Sequence, residues 1–146
     1  MKVHLNQIPN EGLHVEGTAD SRILDLRENG IRPTSDVHYS LDVGISDGGL
    51  FATGVVGVEL ELECVSCLEP FRYALEVPDF ACQIELTGSQ TVDLTEPVRE
   101  DILLALPAHP TCDWDGKTVC KANFTTAVSA PEPLEDRWKD LDNLKL

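Results

Sequence analysis

Val37-His38-Tyr39-Ser40-Leu41-Asp42-Val43-Gly44-Ile45-Ser46 is the stretch on which the fold turns. Val37, Tyr39, Leu41, Val43 and Ile45 alternate with His38, Ser40, Asp42, Gly44 and Ser46. A period of two sends the apolar set to one face and the polar set to the other, which is the mark of a half-buried strand. Asp47-Gly48-Gly49 follows and predicts a hairpin turn, because glycine takes positive φ at no steric cost. Val56, Val58, Leu60 and Leu62 then alternate with Gly57, Glu59, Glu61 and Glu63. Phe71, Tyr73, Leu75 and Val77 alternate with Arg72, Ala74 and Glu76, and Phe80, Cys82, Ile84 and Leu86 with Ala81, Gln83 and Glu85. The break at Pro78-Asp79 predicts a bulge or kink. Together these runs predict an antiparallel meander with one wet face.

Outward from this region the pattern changes. Towards the N-terminus, Leu13 and Val15 alternate with His14 and Glu16 as a short strand, and Ile23, Leu24 and Leu26 start a short helix. On the other side, Asp93-x-x-Glu96 reads as a capping box, with Pro97 in a first turn that needs no amide donor. Leu94, Val98, Ile102 and Leu106 keep helical spacing on one face until Pro107 and Pro110 end the helix. Residues 111–130 read as a loop with few core residues. Ala130-Pro131-Glu132-Pro133 is a stiff linker into a last short helix at about residues 134–145, with Leu134, Trp138, Leu141 and Leu144 as its apolar stripe. The expected fold is a single α+β domain over residues 1–146. Its sheet is an antiparallel meander, curved or barrel-like, with one or two helices packed against it.

Composition narrows the functional classes. A length of 146 residues suits one domain with a core. The chain has 26 acidic against 11 basic residues, a formal charge of -15, spread over both halves. Such a surface repels bare phosphate backbone and attracts basic proteins, and it equally serves plain solubility. An aromatic content of 5% is thin for stacking bases. Residues 1–13 lack the apolar run of a signal peptide, and no apolar run approaches a membrane span, so a cytoplasmic location is expected. The cytosol keeps thiols reduced, so the five cysteines read as ligands or core residues and not as a disulfide framework.

Cys64-Val65-Ser66-Cys67 lies between two predicted strands, at a hairpin tip where two thiolates can converge on one tetrahedral metal. A redox Cys-x-x-Cys instead opens a helix, and Leu68-Glu69-Pro70-Phe71 leads into a strand. Cys112 and Cys120 stand in the loop after the helix, with His109 three residues before Cys112 as a reserve ligand. Four thiolates from two separated pairs would form a structural zinc site that pins the loop to the hairpin; the alternative is core-filling thiols. Cys82 reads as core. None of His4, His14, His38 and His109 has a serine or cysteine partner in a recognisable motif, and no phosphate loop or dinucleotide fingerprint is present. No enzyme is expected. Glu59, Glu61 and Glu63 line one strand face, either simply solvated or docking lysines and arginines of a partner. Arg22, Arg27 and Arg32 are the candidates for a local basic patch that touches RNA.

Four blocks carry a resemblance. They are Cys64-x-x-Cys67-Leu68-Glu69-Pro70-Phe71; Val92-Asp93-Leu94; Val98-Arg99-Glu100-Asp101-Ile102-Leu103-Leu104-Ala105-Leu106-Pro107 with His109-Pro110-x-Cys112; and Asp136-Arg137-Trp138-x-x-Leu141-x-x-Leu144. In order and spacing they resemble the bacterial YceD family, the large ribosomal RNA subunit accumulation proteins, over about the last two-thirds of the chain. The helix–proline–cysteine block is its most specific part. The resemblance implies a ribosome-biogenesis role in synthesis, processing or stability of large-subunit (23S) ribosomal RNA, with no established enzymatic activity. With the charge, it predicts a basic ribosomal or assembly protein as partner. The rival readings are a zinc-binding interaction domain that contacts RNA directly, and a thiol redox protein. Many relatives carry a denser cysteine cluster after the proline block. Here the outer cysteines, Cys112 and Cys120, remain, and with Cys64 and Cys67 they make four ligands.

Overall fold

The computed structural model describes residues 1–26 and 30–122. The main sheet has five antiparallel strands: β2 (Leu13–Ala19), β3 (Ile31–Pro33), β4 (Val37–Ser46), β5 (Gly49–Glu63) and β6 (Pro70–Glu85). Along it β2 pairs with β4, β4 with β5, and β5 with β6, while β3 takes the stretch of β5 beyond the end of β4. A second, two-stranded sheet joins β1 (Lys2–His4) to β7 (Thr91–Asp93). One α-helix, α1 (Thr95–Leu104), is present among the described residues. The α+β class and the meander stand. The barrel does not close, because β2 and β6 do not pair with each other. The helix expected at 134–145 and its linker lie outside the described residues.

Alternation explains why these segments are strands. On β5, Leu50, Ala52, Val56, Val58, Leu60 and Leu62 are buried, while Phe51, Thr53, Glu59 and Glu63 are exposed. Val37, Leu41 and Val43 of β4 share the inner face, but Ile45, placed inward by its period, is 45% exposed beside the turn. The turn itself is two residues long, since Ser46 pairs with Gly49. Asp47 and Gly48 both have positive φ (50° and 75°), as a turn matching the strand twist requires.

β6 runs unbroken through Pro78-Asp79. Gly54 pairs with Phe80 and Val56 with Val77, so Pro78 and Asp79 together oppose Val55 alone. That is a β-bulge. It reconciles the two apolar runs of β6: Leu75 and Val77 face inward at odd positions, Phe80 and Cys82 at even ones. One extra residue inverts the alternation and keeps both halves on the core.

Glycines on the sheet make room for rings across the strand. Phe51 lies over Gly44, the His38 ring over Gly57, and the Tyr39 hydroxyl over Gly17. Each ring covers backbone that its glycine partner leaves bare.

The core beneath the sheet includes Leu41, Leu60 and Phe80, closed by Leu24 of a 3-10 turn (Ser21–Leu24), by Leu94 at the N-cap of α1, and by Val98 and Ile102 of α1 itself. The helix starts differently from the capping box. Asp93 Oδ1 accepts from the Thr95 amide at 3.0 Å and from the terminal amine of Met1 at 3.2 Å, while Glu96 reaches forward to Arg99 at 3.7 Å. Leu104 is 83% exposed, and Leu106, past the helix end, packs on the core.

Gly54 is the tightest point of the sheet. Its φ is +151°, and a Cβ there would run into the Ser40 carbonyl oxygen and approach Leu41 Cα at 3.0 Å. Both obstacles are backbone. Gly54→Ala is expected to lower stability by about 2 kcal/mol or more, read as a shift in the urea midpoint at unchanged m-value.

Candidate metal centre

The β5–β6 connection carries the first two cysteines. Cys64 occupies the next inward position after Leu60 and Leu62 and is fully buried. Its amide donates to the Glu69 carbonyl at 3.0 Å, and its carbonyl accepts from Leu68 N at 2.9 Å. This closes a tight knuckle in which the amides of Ser66 and Cys67 face the Cys64 sulfur. The knuckle requires left-handed backbone at Leu68, with φ 60°.

The segment after α1 delivers the other two. Val65 N donates to the Pro110 carbonyl at 2.9 Å, which brings the chain back to the knuckle just before Cys112. Trp114 Nε1 donates to the Arg72 carbonyl at 3.2 Å, and its ring lies 4.6 Å from that of Tyr73, tilted by 55°. Lys121 Nζ meets Glu69 Oε1 at 2.6 Å. Among the described strands β6 pairs only with β5, so Trp114 covers a free backbone edge.

The result is one cluster. The sulfurs of Cys64, Cys67, Cys112 and Cys120 all lie within 4.8 Å of one another. Cys64 and Cys120 are 3.8 Å apart, and Cys67 and Cys112 are 3.7 Å apart. A ZnS4 tetrahedron with bonds of about 2.3 Å has edges of about 3.8 Å. All four cysteines are free, and these spacings far exceed a disulfide bond of about 2.05 Å. The residues therefore fit a four-coordinate, thiolate-bound metal ion such as zinc.

The thiols are unlike one another electrostatically. The Cys67 amide, with those of Cys112 and Ser66, outweighs burial and holds the Cys64 thiol down at about 6. Desolvation, then the thiols of Cys120, Cys67 and Cys64, push Cys112 up to about 12. At Cys120 an amide bond from Ala122 pulls the pKa down, but burial and the Cys67 and Cys64 thiols outweigh it and raise the group. One thiolate is thus favoured and further ones are opposed, which is the pattern a divalent cation resolves. Lys121, held charged by Glu69, supplies a positive group beside Cys67 and Cys112.

The other sequence candidates fall elsewhere. His109 is exposed and outside the cluster, so four sulfurs and no imidazole make the site. Cys82 is half-buried against the core, as expected. Glu59, Glu61 and Glu63 do share the outer face of β5, but Glu61 pairs in register with Arg32 on one side and Arg72 on the other. Arg22 is bound to Asp20 at 2.9 Å, and Arg27 lies outside the described residues.

One grouping was missed from sequence. His14 Nδ1 lies 2.7 Å from Asp42 Oδ1, and its Nε2 lies 3.3 Å from Ser40 Oγ. The strand register brings them together: His14 pairs with Asp42, and Ser40 is two residues along β4. The alternation of both strands contained the signal, since all three are outer-face positions. The His14 and Asp42 side chains are 53% and 75% exposed, and Glu16 stands 4.0 Å from the same Nε2. Water competes for each bond, and we read the trio as a surface hydrogen-bond ladder.

With this geometry in place, comparison with known proteins adds relatives without a function. The chain is similar to an uncharacterized protein found in two strains of Mycobacterium tuberculosis and in Mycobacterium bovis, 28% identical over 112 residues. The match covers 64% of this chain and 54% of the relative, so the chain spans about half the length of these relatives. No protein-family model matches the chain, and no solved structure matches it.

Two predictions follow from the centre. Cys112 and Cys120 carry protons at neutral pH that a metal must displace, so affinity falls as pH falls. Competition with a chromophoric chelator between pH 6 and 8 measures the slope; Cys120→Ser should lose the metal and Cys82→Ser should keep it. At Leu68, glycine removes a left-handed penalty of about 1–2 kcal/mol against its own entropy cost. Leu68→Gly is expected to raise the stability of the loaded protein by about 0.5–1 kcal/mol in urea denaturation.

Proposed function

We propose that this protein is a zinc-clamped, non-enzymatic interaction domain that supports large-subunit ribosomal RNA by holding a basic ribosomal or assembly protein in the cytoplasm. One observation carries the reading. Cys64 and Cys67 are far in sequence from Cys112 and Cys120, yet the four sulfurs meet within 4.8 Å. Four protein ligands fill a tetrahedral zinc and leave no position for substrate, which favours a structural role. The charge of -15 favours a cationic protein over naked RNA as partner. Ribosomal RNA levels then respond indirectly, because an undelivered ribosomal protein stalls assembly and leaves transcript unprotected.

A redox role fits the site less well. The knuckle leads into a strand and not a helix, and the close sulfur pairs join the two blocks instead of lying within Cys64-x-x-Cys67.

Protein purified without chelator is expected to contain one zinc per chain. A pull-down from bacterial lysate at low and moderate salt should recover a basic ribosomal or assembly protein, and loss of the gene should lower 23S relative to 16S ribosomal RNA. Recovery of purified ribosomal RNA alone, with no protein partner, would contradict the mechanism.

A further inference from the structure

Beside the metal centre the outer face of the sheet is notched. A hollow of about 190 Å³ is lined by Glu59, Arg72, Tyr73, Ala74 and Trp114. Ala74 pairs with Glu59 across the strands, and its small side chain leaves the space between them open. Trp114 also lines the hollow and remains 45% exposed although it is fixed by its bond to the Arg72 carbonyl. The Glu59 backbone is held by Ser35 and Thr34, but its carboxylate has no partner among the described residues. Arg72 also lines the hollow, with Glu61 as its cross-strand neighbour in register.

A part-exposed indole and an unpaired carboxylate lining one hollow suit a cation. The ring quadrupole attracts the charge, a guanidinium stacks flat on the indole, and the carboxylate takes its N–H donors. Trp114 is also two residues from Cys112, inside the segment bounded by Cys112 and Cys120. The metal ligands therefore fix the chain that presents this ring.

We propose that Glu59 and Trp114 form a binding subsite for an arginine side chain of a basic protein segment, and that the four-cysteine centre assembles this subsite by fixing the 112–120 loop. The proposal rests on the basic-partner reading above and gives it a location. Charge complementarity with a chain of net charge -15 selects the occupant. The glutamate row alone, noted from sequence, is a charged surface; Trp114 makes one end of it selective.

The test uses the metal-loaded full chain carrying Trp138→Phe, which leaves Trp114 as its one tryptophan. A short arginine-rich peptide is titrated against Trp114 emission, beside the same peptide with citrulline replacing arginine. A saturable change with the arginine peptide alone is expected. Glu59→Gln, read by Trp114 emission, and Trp114→Phe, read by isothermal titration calorimetry beside the parent chain, each checked for unchanged metal content and circular dichroism, should weaken binding by about three- to tenfold. Stripping the metal should abolish the saturable change. Equal binding of the citrulline peptide, or unchanged affinity in both variants, would overturn the subsite. The two levels separate in the pull-down. Undiminished capture of a basic protein by Trp114→Ala sinks the subsite and spares the proposed function, whereas no basic protein captured by the unaltered chain sinks the function itself.

Discussion

β5 has to satisfy three neighbours at once, and the rest of the molecule is arranged around that. One edge is shared by β4 and β3, the other is taken by β6 along nearly its whole length. Its even-numbered side chains from Leu50 to Leu62, Gly54 apart, are buried, so a slip of one residue would turn the whole apolar set to solvent. The bulge at Pro78-Asp79 lets β6 keep pace with this register. The same alternation carries past Leu62 and puts Cys64 on the buried side, where the knuckle begins. The metal centre is thus an extension of the sheet's inner face.

The surface and the centre obey the same electrostatics. Four thiolates packed within a few ångströms are as unfavourable as a dense acidic skin unless a cation joins them. At the centre a divalent ion would answer that need, with backbone amides and Lys121 as supporting positive groups. Over the sheet the proposed cationic partner would answer it. Loop and sheet meet where the two demands adjoin, at Trp114 and Arg72. A partner bound there would sense through contact whether the loop is in place.

Much of the sheet was legible, and the failures share a cause. The alternation at 37–46, 56–62 and 71–86 was regular enough to name the strands and the site of the bulge. β5 was read as starting at Val56 because Gly49 and Gly54 interrupt the apolar period, although pairing with β4 begins at Gly49. β1, β3 and β7 are three residues each, too short to show a period, and they exist because longer neighbours offer them edges. The cysteine set and its convergence were legible from its two pairs, while the loose spacing between Cys112 and Cys120 left core-filling thiols as the alternative. That convergence depends on contacts remote in sequence: Val65 with Pro110, Trp114 with Arg72, and Lys121 with Glu69. The trio of His14, Ser40 and Asp42 likewise needed the register of β2 on β4.

Cys64 and Cys120 are separated by 56 residues along the chain but adjacent in space. During synthesis the hairpin with its first thiol pair emerges long before the second pair exists. For that interval the growing polypeptide offers a two-sulfur half-site, open to any ion or oxidant nearby. A metal held by all four thiols could therefore be fully enclosed only once translation has passed Cys120, so a filled centre would record that the chain has been made at least that far.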